Sequence, residues 1–291
     1  NAESTNAGSL QKFLKGGFSA EDFTGLNEAS ESHVAWNWVA NAGTTASNTD
    51  GSTTTTTQAN TTAGFSIVEF TTPSGGTTIT YGHGLTQAPE WFFFKNTGAT
   101  GDWLVFHKSA YDASNGGYSM VLNSTNANSA FNTEFGATAI YPQAPTATTF
   151  ALRNRSATSP SANYIAYCWH GVDGFSKFGS YTGNGNSNGP FIYTGFRPSL
   201  VINKCFSTAG TNWEIRDNLR SASGGNNPIT QVLYPNSSAA EVTTDNCDFL
   251  SNGFKWRSTG SGRNDSGLTY IYMAFAEHPF IGDGVSPVTA R

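Results

Sequence analysis

Five histidines, three cysteines and twenty acidic residues are the groups in this sequence that could do chemistry. The histidines are His33, His83, His107, His170 and His278. None stands at metal-ligand spacing from another His, Cys or carboxylate. His83 lies between Gly82 and Gly84, a turn position, while His170 and His278 fall just past strand-like runs where a polar residue is expected. Each is read as structural. Nucleophilic catalysis needs a Ser or Cys with a partnered base, and no Gly-x-Ser-x-Gly elbow is present. Cys168 sits among aromatics, where burial raises the thiol pKa and leaves it inert. Cys205 and Cys247 could pair, but three cysteines at wide spacing make no disulfide framework and are better read as small buried apolar residues.

Glycoside hydrolysis needs two carboxylates facing across a groove. Nothing in the sequence selects such a pair, and the acidic positions do not recur between the repeats described below. Asp245 and Asp248 could hold a cation at a loop. Their spacing matches no calcium loop, and they are read as solvated turn residues. No catalytic, metal or cofactor site is therefore expected, and the chain is read as a non-enzyme. Sugar binding stays open, because aromatic faces for stacking and Asn, Asp and Gly loops abound. Trp36, Trp38 and Trp169 are assigned to core by periodicity, whereas the sequence does not place Tyr111, Tyr118, Tyr181 or Tyr234.

The elements that would position these groups repeat. Gly64-Phe65-Ser66 recurs as Gly174-Phe175-Ser176, and Trp91 to Lys95 after Pro89 recurs as Leu200 to Lys204 after Pro198. Trp103 recurs as Trp213, Phe150 to Arg153 as Phe254 to Arg257, and Tyr164 to Trp169 as Tyr270 to Phe275. The unit is about 110 residues long. A partial copy precedes it: His33 to Trp38 has the form of the last strand, with Gly17-Phe18 upstream at the matching distance. Alternation within that strand sets Val34, Trp36 and Trp38, then Ile165, Tyr167 and Trp169, then Ile271, Met273 and Phe275 on one large apolar face, the expected sandwich core.

The fold class is thus all-β: tandem, jelly-roll-like β-sandwiches. Expected boundaries are a partial repeat over 1–42, a Thr/Ser/Asn-rich linker over 43–63, sandwiches over 64–172 and 173–281, and an irregular tail over 282–291. The absence of an initiator Met and the missing front half of the first copy suggest a processed chain or a fragment. Only 12% of residues are charged, yet 13% are aromatic, which supplies apolar surface that a disordered chain lacks. The net charge is −5 with no basic stripe, which excludes nucleic acid as a partner. No apolar run is long enough for membrane insertion.

Five stretches carry a resemblance: Tyr164 to Trp169, Gly174 to Asn184, Gly189 to Pro198, Asp248 to Phe254 and Tyr270 to Glu277. They resemble a repeated domain of unknown function found in tail-fibre-like and other virion proteins of marine bacteriophages, and the ending from Gly282 to Arg291 is similar to the end of such proteins. The resemblance implies a virion appendage at the particle surface that touches the host. It supplies no catalytic residues. The first functional reading is a structural and interaction protein, a homo-oligomer (a trimer by resemblance to fibres) that contacts other virion proteins. The second is a carbohydrate-binding surface module for host glycan, and the third a polysaccharide depolymerase.

Overall fold

A computed structural model describes residues 10–14, 17–21, 27–41, 43–72, 78–112, 120–127, 141–153, 161–221 and 224–278. The tail over 282–291 and Tyr118 lie outside them. An N-terminal hairpin comprises β1 (Leu10–Leu14) and β2 (Gly17–Ala20). The first sandwich holds β3 (Ala46–Asn48), β4 (Thr55–Asn60), β5 (Phe65–Thr71), β6 (Thr78–Gly82), β7 (Trp91–Asn96), β8 (Leu104–His107), β9 (Met120–Val121), β10 (Thr149–Arg153) and β11 (Asn163–Trp169). The second holds β12 (Ser176–Thr182), β13 (Phe191–Tyr193), β14 (Pro198–Cys205), β15 (Trp213–Asp217), β16 (Ile229–Val232), β17 (Val242–Leu250), β18 (Gly253–Trp256) and β19 (Thr269–Ala276). Among the described residues the only helical element is a 3₁₀ turn, Lys108–Ala110.

The repeat is visible as topology. In the first unit the closing strand β11 lies between β5 and β7, and β8 follows β7. In the second, β19 lies between β12 and β14, and β15 follows β14. The small facing sheets correspond too: β10 pairs with β6 as β18 pairs with β13. Each unit opens on a glycine in the left-handed region, Gly64 at φ 65° and Gly174 at φ 73°, where a side chain would be strained. A Cβ on Gly64 would also stand 2.8 Å from the carbonyl of His170.

Three apolar cores separate four layers. The first, with Phe70, Phe92, Phe94, Phe106, Phe150 and Tyr164, fills the first sandwich. The third, with Val201, Phe249, Phe254, Trp256 and Tyr272, fills the second. The middle core joins the large sheets of both units through Phe65, Trp91, Trp169, Phe178, Trp213, Met273 and Phe275. The two sandwiches are therefore fused back to back. The closing strand β19 is buried on both faces and β11 on one face fully and on the other in part, which is why Tyr164 to Trp169 and Tyr270 to Phe275 contain no charged residue.

Two expectations need correction. Alternation predicts the face carrying Ile165, Tyr167 and Trp169 as the sandwich interior, but Tyr167 and Trp169 pack in the seam between sandwiches. Tyr164, Ala166 and Cys168 line the interior instead. Composition predicts a linker over 43–63, but β3 and β4 add two strands to the first large sheet beside β5. Its threonines alternate: Thr55 and Thr57 are buried and Thr56 is exposed. The branched side chain of Thr suits a pleated surface, and Thr55 Oγ1 satisfies itself on the carbonyl of Gly82 at 2.7 Å.

Candidate functional site

The nine expected core residues fall into three groups. Ile271, Met273, Phe275 and Trp169 are buried in the seam. Tyr167, Trp36 and Trp38 are partly buried against it, and Ile165 and Val34 are half-buried. Trp169 stacks on Trp91 at 4.4 Å and on Phe65 at 4.8 Å between ring centroids. Trp38 stands edge-on to Trp169 and Phe275 at 5.7 and 5.2 Å, so it ties the N-terminal segment to both sandwiches. The residues from His33 to Trp38 form no regular element and join no sheet among the described residues.

The buried polar groups hold structure. His83 and His107 share a design: Nδ1 accepts a backbone N–H two residues on, and Nε2 donates to a carbonyl, of Thr146 and Tyr272 respectively. Burial pushes His83 down to about 4 and His107 down to about 3, so both are neutral imidazoles. His170 is buried, with Nδ1 on the carbonyl of Gly171, while His33 and His278 are exposed. Lys95 and Lys204, at equivalent positions, both cap loop carbonyls. Lys204 also reaches Thr125 of the first unit at 3.3 Å, and desolvation lowers it to about 8. Glu214 accepts both arms of Arg263, at 3.0 and 2.6 Å, and lies 3.6 Å from Arg216. All three cysteines are free and buried, so Cys205 and Cys247 do not pair. Burial pushes Cys247 up to about 12 and raises Cys168 further, which leaves both thiols protonated at neutral pH. Asp245 and Asp248 lie within β17 rather than in a turn, and Asp248 accepts from Arg257 Nε at 2.6 Å.

Among the described residues no three His, Cys, Asp or Glu converge in a way that could hold a metal ion. A polar groove of about 380 Å³ opens at one end of the first large sheet, lined by Thr54, Thr55, Thr56, Glu69, Thr97 and Asn163 among others. Glu69 is the only carboxylate in that lining. A lone carboxylate cannot supply the acid and the second carboxylate that glycoside hydrolysis requires.

The surface best built for recognition is the outer face of the second sandwich. Ile192, Phe254 and Phe249 point inward to its core. Alternation therefore turns Phe191, Tyr193, Lys255 and Asp248 outward. Phe191 and Tyr193 are 44% and 58% exposed on the edge strand β13. Gly253 makes this possible, because a Cβ there would come within 2.9 Å of the Phe191 ring and 2.1 Å of the Ile192 carbonyl. Lys177 Nζ lies 4.9 Å from the centroid of the Tyr193 ring. Two exposed aromatic side chains thus sit beside Lys255 and the Asp248–Arg257 pair. Sequence reasoning missed this face. The run Phe191-Ile192-Tyr193 alternates, but its larger pair invites assignment to the core. Of the tyrosines left unplaced, Tyr181 packs against the core of the second sandwich, and Tyr111 and Tyr234 are half-buried.

Comparison with curated proteins and with solved structures gives no match. A single family match runs from the N-terminal hairpin through both sandwiches, which places one family boundary around the whole fused assembly. The chain belongs to the family described as a domain of unknown function, DUF7483, matched over residues 1–279.

Proposed function

We propose that this is a structural and interaction protein of a bacteriophage virion, a fibre or appendage of tandem β-domains that contacts the host cell surface. The observation that carries the structural part is the seam. Two sandwiches share one aromatic core, and His107, Lys204 and Trp213 all hydrogen-bond across it. Such a unit resists bending and unfolding, as an appendage exposed outside a cell needs. The virion assignment rests on the resemblance of the stretches between Tyr164 and Glu277. Many copies on one particle make weak surface contacts effective through avidity, and a closed homo-oligomer, a trimer on that resemblance, is the expected form.

Antibody raised against the purified chain and applied to phage particles that encode it tests the reading by electron microscopy. Label at a fibre or at the capsid surface supports it, and particles without label overturn it. Light scattering of the purified chain that shows only monomers at micromolar concentration removes the trimer.

The outer face of the second sandwich favours carbohydrate as what such an appendage touches. Exposed rings such as Phe191 and Tyr193 can stack on sugar faces, and the flanking Lys255 and Asp248 can hydrogen-bond hydroxyl groups. A glycan array probed with the chain should show saturable binding that Tyr193→Ala removes. Binding that survives Tyr193→Ala and Phe191→Ala together excludes this face.

A further inference from the structure

The exposed rings of the second sandwich stand at its open edge. Strand β13 ends the small sheet and β12 ends the large one. Lys177 rises from β12 and sets its ammonium 4.9 Å from the centroid of the Tyr193 ring. On the other side Lys255 faces Phe191 in the register, and Asp248 faces Lys255 one strand further on. The Phe191 ring leans over Gly253, with Cε2 and Cζ each 2.9 Å from where a Cβ would stand. The order across the face is therefore Lys177, the two rings, Lys255, and then Asp248 with Arg257. A cation borders the rings on each side.

The charges on this face do not balance. The described side chains of β12, β13, β16, β17 and β18 include one carboxylate, that of Asp248. Arg257 Nε already holds it at 2.6 Å. Among the described residues neither Lys177 nor Lys255 forms an ion pair. The face thus sets Lys177, Lys255 and Arg257 against one acid, on a chain whose formal net charge is −5. A positive potential over an apolar platform selects an anion that also has an apolar face. Strand β13 is only three residues long, which blunts this edge against the addition of a peptide strand.

We infer that this face binds an acidic polysaccharide, one whose sugars carry carboxylates, and that Lys177 and Lys255 set that specificity. The inference rests on the carbohydrate reading of the same face and adds the charge of the ligand. A sugar stacked flat on Phe191 or Tyr193 points its ring substituents sideways. A carboxylate among them is carried toward the flanking ammonium groups, where a hydroxyl gains less. Lysine is a point charge on a flexible stem, which suits carboxylates met at varying places along a polymer.

The test uses the full chain and three soluble polymers as probes. Polygalacturonate carries carboxylates, dextran carries no charge, and dextran sulfate carries sulfate esters. Polygalacturonate should bind at least about tenfold more tightly than dextran, and about 1 M NaCl should erase that advantage. Lys255→Gln or Lys177→Gln should each weaken polygalacturonate about fivefold and leave dextran unchanged. Lys255→Arg should keep the affinity, and the urea midpoint should not move in any of these variants. Dextran bound as tightly as polygalacturonate overturns the acidic specificity and leaves the carbohydrate reading standing. A preference that survives both Lys→Gln changes together overturns the role of the lysines. Tighter binding of dextran sulfate than of polygalacturonate overturns the choice of carboxylate. No binding of any polymer, with an empty glycan array, overturns the inference and the carbohydrate reading together.

Discussion

Nε2 of His107 donates a hydrogen bond to the carbonyl oxygen of Tyr272 at 3.2 Å, so that one imidazole spans the seam between the sandwiches. Its Nδ1 accepts from the Ser109 N–H at 3.1 Å, and a proton on that nitrogen would confront a donor. His83 is held the same way by Leu85 and Thr146. Burial, the larger cause in both, lowers them to about 3 and about 4. In the unfolded chain both charge near pH ~6.5. The unfolded state therefore binds more protons as pH falls below that value, and native stability declines from there toward pH 4 and levels off below the folded pKa values. The urea midpoint should fall across this window, and His107→Gln should flatten the decline. A midpoint constant from neutral pH to pH 4 contradicts the assignment.

Trp169 is the centre of the seam, stacked on Trp91 and Phe65 and met edge-on by Trp38. Trp169→Ala should cost about 3–5 kcal/mol in urea unfolding. Trp38→Ala should cost less, about 1–2 kcal/mol, because its ring is only partly buried. If the sandwiches were independent beads, truncation at the seam would leave the unfolding of the second unit untouched. The seam instead requires both to lose stability together, which hydrogen exchange in β7 and β19 reads separately.

How much of this was legible follows from what each face touches. The repeat and its strand order were carried by anchors that recur, from Gly64-Phe65-Ser66 to Tyr270 through Phe275. The large apolar face of the closing strand was also visible, but its destination was not. Tyr164, Ala166 and Cys168 look like a minor face because a sandwich interior crowded by Phe92, Phe94 and Phe150 admits smaller partners. Periodicity reports that two faces differ and cannot say which one meets a second domain. Thr55 and Thr57 were missed because a hydroxyl reads as solvent-facing, although a buried Thr satisfied by a carbonyl is ordinary strand chemistry. The exposed face of Phe191 and Tyr193 was hidden by the same logic in reverse. Only the absence of a side chain at Gly253, opposite Tyr193 in the register, shows why an aromatic can lie flat on the outside.

Lys204 gives a second window of the same sign at higher pH. Its ammonium donates to the Thr211 carbonyl at 2.7 Å, to Thr211 Oγ1 at 2.9 Å and to Thr125 across the seam. Desolvation by burial, opposed only in part by the neighbouring Cys205, lowers it to about 8 from its ordinary 10.5. Between those values the unfolded chain binds the extra proton, so rising pH stabilises the fold through this group. Buried thiols and tyrosines act the other way at higher pH, because Cys247 and Tyr272 are both raised to about 12. The comparison with Lys204→Met removes those shared contributions. The wild type should gain on the variant between pH 8 and 10.5, and a difference that does not change with pH would show that Lys204 stays charged throughout.

Glu214 offers the sharpest energetic test, because its carboxylate is 2% exposed and holds two guanidinium groups. Arg263 meets it bidentately, while Arg216 also donates Nη1 to the Ile229 carbonyl and lies against Trp256 at 5.4 Å. Replacing the carboxylate strands two buried cations, so Glu214→Gln should cost about 3–5 kcal/mol. Arg263→Lys should fail to rescue the bidentate geometry and should itself destabilise. In a double-mutant cycle, Glu214→Gln with Arg263→Gln should show a coupling of about 1–3 kcal/mol. Being shielded from solvent, that coupling should change little up to about 1 M NaCl, where exposed pairs are screened. A coupling that vanishes with salt would mean that water reaches the cluster and that the core of the second sandwich is less closed than its packing indicates. A coupling near zero at every salt concentration would mean that desolvation cancels the attraction, and the cluster would then serve to fix the register of β15 rather than to stabilise it.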